Sequence, residues 1–233
     1  MKKDRPKDRP SFKAYIAFWR EEIETRYLKI MKPAARFLSK SGVDPNLMTA
    51  VGCFFNGLAG LVYAHGAFFW AAWVVLIAGL CDTLDGLIAR LTHKQSAYGA
   101  FFDNILDRYS DLFLFLGMAY FFMSDETLYG FAWNIRIKSG FWPIIWIILA
   151  LSGSFLVSYT RARAEGLGLE CKQGIMQRPE LLVLLILGSW FSALPRAGFL
   201  IFEITLGLLA ILTHLTALQR IVYIRKRLMA RSK

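Results

Sequence analysis

From Leu47 to Cys81 the chain runs through thirty-five positions without one Asp, Glu, Lys or Arg. A helix that crosses a bilayer needs about 20 mostly apolar residues. The run is therefore too long for one crossing and long enough for two, with the break at His65-Gly66. The rest of the 233 residues agrees: 56% are hydrophobic, 15% aromatic, and the mean hydropathy is +0.41, against roughly 45–50% apolar content in soluble domains. Such a composition excludes a disordered chain, a coiled coil and a collagen-like fibre. The net charge of +11 comes from 28 Lys and Arg against 17 Asp and Glu. These basic residues share no soluble face, so nucleic acid is not the expected partner. Cys53, Cys81 and Cys171 have no metal-ligand spacing, and neither a disulfide framework nor a zinc site is indicated.

The second apolar segment continues through Asp82 to Arg90. Further spans are expected over Ala97 to Phe122, Phe141 to Tyr159, Leu181 to Leu194 (ending at Pro195, with a start reaching back toward Gln177) and Gly198 to Tyr223. The chain thus reads as an all-α integral membrane protein with six transmembrane helices. Twenty-five of the 28 Lys and Arg fall on one side of these spans, and only Arg136, Lys138 and Arg196 on the other. The positive-inside rule then puts both termini, the loop after the second span and the loop after the fourth in the cytoplasm. The first 46 residues carry no short basic region followed by an apolar stretch, so no cleaved signal is expected. Within residues 11–40, Phe12, Tyr15, Ile16, Phe18, Trp19, Ile23 and Tyr27 alternate with charges at helical spacing. This predicts an amphipathic interfacial helix against the membrane lipids; a solvated helix that merely obeys the orientation rule is the plainer alternative.

Five acids crowd into one thirty-residue stretch: Asp82, Asp85, Asp103, Asp107 and Asp111. Each charge placed in a bilayer costs at least about 2.5–3.5 kcal/mol, so a cluster implies a function that offsets it. Asp82 and Asp85 are spaced i,i+3, and Asp103, Asp107 and Asp111 are spaced i,i+4,i+8, so each set occupies one helix face. Two such faces joined by the loop Leu91 to Ser96 are expected to oppose one another. Facing carboxylates repel unless positive charge lies between them, and hard divalent cations held through oxygen meet that need. Divalent ions at a cytoplasmic opening suggest phosphate chemistry. A network with Arg90 and Arg108 that orders the bundle is the alternative, and it suits Arg108 and Asp111 best. Gly86, Ala89 and Gly99 border these faces, where missing side chains let a ligand or another backbone approach. Asn56, Gly57 and Gly60 mark a close helix contact, within or between subunits. His65, His93 and His214 have no partner at ligand spacing.

Taken together, Asp82-Thr-Leu-Asp85-Gly86-Leu-Ile-Ala89-Arg90, eight residues, then Gly99-Ala-Phe-Phe-Asp103-Asn-Ile-Leu-Asp107 match D-x-x-D-G-x-x-A-R-x8-G-x-x-x-D-x-x-x-D at every specified position. The pattern resembles the signature of the CDP-alcohol phosphotransferases, with Pro45-Asn46-Leu47-Met48-Thr49 similar to the entry of that family's first span. The resemblance implies that Asp82, Asp85, Asp103 and Asp107 surround two divalent ions, Mg²⁺ or Mn²⁺, and that Asp107 is also the general base. It further implies that Asn46, Thr49, Asp82, Gly86, Ala89, Arg90 and Gly99 receive a CDP-linked lipid, either CDP-diacylglycerol or an archaeal equivalent. The products would be a phosphodiester lipid and CMP. On this reading residues 1–40 form a basic segment with the interfacial helix, 41–225 the six-helix catalytic domain and 226–233 a basic tail, and a homodimer is expected.

The stretch Ser158-Tyr-Thr-Arg161-Ala-Arg163-Ala-Glu165, followed by Gly174 to Glu180 and Gln219-Arg220, is similar to the phosphatidylinositol-phosphate synthase branch. This implies that Arg161, Arg178 and Arg220 bind an acceptor phosphate, since guanidinium forks suit phosphate. Anchoring to headgroups is the other role open to arginines at these positions. Two departures leave the small polar alcohol open between inositol phosphate, glycerol phosphate and a smaller alcohol: Arg161 stands where the branch commonly has Lys, and Leu181 where it has a second Arg. An ion-coupled transporter and a membrane prenyltransferase are the competing classes. The first favours repeats with broken helices; the second separates its acidic motifs widely, whereas here they adjoin.

Overall fold

The computed structural model describes residues 12–124, 127–129, 134–136, 140–171, 173–194 and 197–231, with the side chains of 12–21, 23–24, 127–129 and 134–136 outside that description. The apolar runs form helices because only a helix satisfies every backbone group inside its own segment in lipid. In chain order the elements are α1 (Phe12–Lys40), α2 (Pro45–Ala64), α3 (Phe68–Leu91), α4 (Ala97–Met123), β1 (Thr127–Tyr129), β2 (Asn134–Arg136), α5 (Phe141–Gly166), α6 (Arg178–Phe191) and α7 (Gly198–Arg231). The expected helices are all present, with α5 and α7 running well beyond the predicted ends. Helix α6 begins at Arg178, three residues before its apolar run. The reason is local: Gln177 and Glu180 form a reciprocal capping box and Pro179 sits in the first turn. The antiparallel β1–β2 ladder between α4 and α5 is a departure from a purely helical reading. Pro195, Lys138, Arg196 and the side chains of Phe12, Tyr15, Ile16, Phe18, Trp19 and Ile23 lie outside the described residues.

Caps set the helix borders at the polar end. Asp44 accepts from the Asn46 N–H at 2.8 Å and precedes Pro45 at the start of α2. Ser96 accepts from the Gly99 N–H at 2.9 Å at the start of α4. The turn between α2 and α3 uses Gly66 at φ +73°, a left-handed conformation that glycine adopts without penalty.

Packing closes α2 to α7 into a ring: α2 against α3, α3 against α6, α6 against α7, α7 against α5, α5 against α4, and α4 back against α2. The carboxylate-bearing helices α3 and α4 therefore flank α2, and their acidic faces turn together toward the interior. The close contact foreseen around Gly60 lies within the chain. A Cβ at Gly60 would collide with the Phe113 carbonyl, and one at Gly117 with the Gly60 backbone. At one end the ring is filled by Tyr63, Phe68, Phe121, Phe122 and Phe202, all buried and packed mostly edge-to-face or tilted, with Phe122 and Phe202 stacked. All the clustered acids lie toward the other end. Outside the ring, Phe54, Leu61, Trp70, Leu116, Ile148 and Leu208 are exposed, as expected of an apolar solvent on that face.

Helices α2, α3, α5 and α7 are each long and apolar enough to cross a membrane. The chain is an integral, multi-pass, predominantly helical membrane protein. Helix α1 packs on α3 through a small cluster of Ala35, Leu87 and Ile88, with Leu28, Met31 and Leu84 around it. The Tyr27 and Thr83 hydroxyls are 3.0 Å apart. Thr83 already donates to the Gly79 carbonyl, so Tyr27 is the donor to Thr83.

Candidate active site

The interior of the ring at its polar end is built from four helices. Asp82 and Asp85 come from α3, Asp103, Asp107 and Asp111 from α4, Thr49 and Gly52 from α2, and Arg178 from the first residue of α6. One nitrogen joins the two acidic faces: Arg178 Nη1 lies 2.5 Å from Asp82 Oδ2 and 2.5 Å from Asp107 Oδ1. Those two carboxylate oxygens are thus within twice that distance of one another. A Cβ at Gly52 would press on Asp82 Oδ1, so α2 leaves that carboxylate room by having no side chain there. Asp85, 8% exposed, accepts from the Thr49 hydroxyl at 2.7 Å. Asp103 lies within electrostatic reach of Asp82, Asp85 and Arg178.

Asp111 is fully buried and belongs to a different network. Its Oδ2 accepts from the Ser154 hydroxyl at 2.5 Å and lies 3.0 Å from Arg108 Nη1, which in turn donates to Ser154 Oγ at 2.9 Å. This is the ordering network that the sequence suggested for Arg108 and Asp111, with Ser154 of α5 added. Asp111 Oδ1 faces Arg178 Nε at 3.6 Å, beyond hydrogen-bond length. Both atoms are buried, and among the described residues neither has a hydrogen-bond partner.

The predicted nucleotide residues fall into two groups, Asn46 with Gly99 and Gly86 with Arg90. A Cβ at Gly99 would approach Asn46 Oδ1 at 3.3 Å, so the starts of α2 and α4 touch there. A Cβ at Gly86 would meet only Arg90 Nη2, at 3.7 Å; this face is open. Arg90 is exposed and Ala89 half-buried. Thr49 differs from expectation, because its hydroxyl is already directed to Asp85. The three acceptor arginines have separate partners in this conformation. Arg178 is engaged by the carboxylates, and Arg161 pairs with Glu165 at 2.9 Å, both half-exposed. Arg220 is 2% exposed and donates through Nε to the Gln173 carbonyl and through Nη1 to that of Val157. With Thr216, which accepts from the Met176 N–H at 2.9 Å, Arg220 holds the α5–α6 loop against α7 and so sets the start of α6. A small crevice beside the carboxylates is lined by Arg108, Ser154, Ser158, Gln177, Arg178 and Leu181.

The acids can be tested as a metal site by their chemistry. All donors are anionic oxygens, which suits hard divalent cations, and two of them already share one cationic nitrogen. Among the described residues no three Asp, Glu, His or Cys side chains surround one point in this conformation; Asp82 and Asp107 are turned to Arg178 and Asp85 to Thr49. The donor set fits the ions, with Arg178 as the group that stands between two of the donors. Sequence reasoning missed Gly52, which the i,i+3 spacing from Thr49 would have revealed, and Ser154, for which no sequence signal exists.

A family model described as CDP-alcohol phosphatidyltransferase matches residues 43–220. The archaetidylinositol phosphate synthase of Methanothermobacter thermautotrophicus is 32% identical over 212 residues, covering 89% of this chain and 98% of that protein. The crystal structure of the Mycobacterium tuberculosis phosphatidylinositol phosphate synthase with CDP-DAG bound superposes with a TM-score of 0.72 at 29% identity, over 84% of this chain and 94% of that one. The same enzyme's structure with manganese and citrate gives a TM-score of 0.71 at 28% identity, over 83% and 88%.

Proposed function

This chain belongs to the CDP-alcohol phosphatidyltransferase family, and from that premise we propose that it transfers the phosphatidyl group of a CDP-linked lipid to inositol phosphate, releasing CMP. The observation that carries the reading is the convergence of Asp82 of α3 and Asp107 of α4 on a single cation, within a motif intact at every position. The family's divalent ions, Mg²⁺ or Mn²⁺, would be held by Asp82, Asp85, Asp103 and Asp107, where they would neutralise the donor diphosphate and the departing CMP.

The chain's own residues supply positioning and proton transfer, which are the main needs of phosphoryl transfer. Asn46, Gly86, Ala89, Arg90 and Gly99 form the open mouth that receives the nucleotide, and Thr49 serves the donor through Asp85. An acceptor hydroxyl oxygen attacks the lipid-bearing phosphorus as the bond to the CMP oxygen breaks. Asp107 takes the hydroxyl proton. Arg161, Arg178 and Arg220 serve the acceptor phosphate: Arg161 and Arg178 as ligands, Arg220 at least by setting the loop that delivers Arg178.

Six spans follow if α4 and α6 also cross. The acids of α4 face the ring interior rather than lipid, and α6 is short but is packed between α3 and α7. The polar end, both termini and the active site then lie on the cytoplasmic side, with α1 along the interface. Residues 41–225 form the catalytic domain between the basic segment 1–40 and the tail 226–233. Assembly as a homodimer completes the reading, and crosslinking in nanodiscs tests it.

The deciding experiment incubates purified protein, Mg²⁺ and CDP-diacylglycerol with inositol phosphate, inositol, glycerol phosphate or serine, and identifies the lipid and CMP formed. Phosphatidylinositol phosphate is expected. A lipid formed from glycerol phosphate alone would keep the reaction and replace the acceptor; no CMP with any alcohol would reject the transferase assignment.

A further inference from the structure

Arg178 is placed between two sets of acids that differ in kind. Asp82 and Asp107 belong to the proposed metal-binding set, and both are held by Nη1. Asp111 lies outside that set, committed through Oδ2 to Ser154 and Arg108. Between the two, Arg178 Nε and Asp111 Oδ1 face each other at 3.6 Å, both buried and, among the described residues, without a hydrogen bond. Leaving a buried donor and a buried acceptor unpaired is costly, and a displacement of well under 1 Å would join them. The side chain thus has a second set of partners within reach, and it also lines the crevice with Ser158 and Gln177.

We propose that Arg178 is the internal counter-cation of the metal site: it bridges Asp82 and Asp107 when these carboxylates hold no divalent ion, and is carried by Asp111 toward the crevice when they do. The inference rests on reading Asp82 and Asp107 as metal-binding residues. Two positive groups compete for the same oxygens, so Arg178 weakens metal binding. Asp111 receives the displaced guanidinium, which makes Asp111 a positioning residue for the acceptor-binding arginine. Metal and acceptor phosphate are then coupled through one side chain, and the coupling is reciprocal: Mn²⁺ tightens binding of inositol phosphate, and inositol phosphate tightens binding of Mn²⁺.

The test measures Mn²⁺ affinity directly, from the electron paramagnetic resonance signal of free aqueous Mn²⁺, on the full chain in nanodiscs without substrate. Arg178→Gln keeps a polar but shorter side chain and removes the charge. It is expected to bind Mn²⁺ at least about tenfold more tightly than the parent, the equivalent of one charge-assisted hydrogen bond no longer to be broken. Asp111→Asn is expected to weaken Mn²⁺ binding severalfold in the parent and to lose most of that effect in the Arg178→Gln background, because its influence runs through Arg178. Unchanged or weaker Mn²⁺ binding by Arg178→Gln overturns the proposal while leaving the metal assignment intact; no Mn²⁺ binding by the parent itself overturns the metal assignment. Should Asp111→Asn fail to fold with Arg108 left unpaired, the Arg178→Gln titration decides alone. An inositol phosphate affinity that does not respond to Mn²⁺ in the parent also counts against the coupling.

Discussion

Thr49→Val removes one hydroxyl and keeps a β-branched side chain of similar shape at a position 5% exposed. The hydroxyl lost is the one 2.7 Å from Asp85 Oδ2, and its longer contact, 3.2 Å to the Pro45 carbonyl within the same helix, contributes little. A hydrogen bond to a charged group contributes about 1.5–3 kcal/mol, and losing a group that orients a metal ligand commonly lowers metal affinity by about 10- to 100-fold. The two scales coincide, since about 1.4 kcal/mol is a factor of ten. We therefore expect Thr49→Val to bind Mn²⁺ about 10- to 100-fold more weakly than the parent. Its kcat/KM in CMP release should fall in proportion at low metal and recover substantially at saturating metal. Thr49→Ser should restore both. If Mn²⁺ affinity is unchanged while KM for CDP-diacylglycerol rises, the hydroxyl acts on the nucleotide and the coupling to Asp85 is wrong; if neither changes, the hydrogen bond has no part in function.

Asp82→Asn, Asp85→Asn and Asp103→Asn should each abolish turnover and weaken Mn²⁺ binding, whereas Asp107→Asn should lose kcat far more than it loses CDP-diacylglycerol binding; a turnover like the parent's in any of the first three refutes the ligand assignment. Arg220→Ala should raise KM for inositol phosphate and also lower the melting temperature, because the buried Val157 carbonyl and the Gln173 carbonyl lose their donor. Arg161→Ala should raise that KM with the melting temperature unchanged, since an exposed pair such as Arg161–Glu165 contributes about 0–1 kcal/mol. Equal thermal shifts in the two variants would contradict the different burial of these arginines. Gly117→Ala, which drives a Cβ into the Gly60 backbone, should cost about 1–3 kcal/mol of stability. Gly57→Ala, whose Cβ would meet Phe113 Cδ2 at an ordinary 3.7 Å, is the matched control; similar thermal losses would show that the α2–α4 crossing is not tight.

The elements were legible in the sequence because they depend on local properties. Thirty-five uncharged residues force a pair of helices, the run from Ala97 predicts α4, and spacings of three and four put each set of acids on one helix face whatever surrounds it. The motif from Asp82 to Asp107 spans 26 positions in one segment, so the acids and the chemistry they imply could be read without a structure. Partners across the ring could not. Arg178 meets Asp82 across 96 positions, Thr49 meets Asp85 across 36, and Ser154 meets Asp111 across 43. An arginine at a membrane border is satisfied equally well by a headgroup, a carboxylate or a backbone carbonyl, and nothing in its neighbours along the chain selects among them. The closure of the ring made that selection: packing α6 between α3 and α7 aimed Arg178 at the acids, and packing α5 on α7 turned Arg220 onto the backbone of α5 and of the loop that follows it. Periodicity determines which face a residue occupies, while the choice of partner depends on which faces meet, and that is decided by shape over the whole molecule, down to two glycines that let α2 and α4 touch.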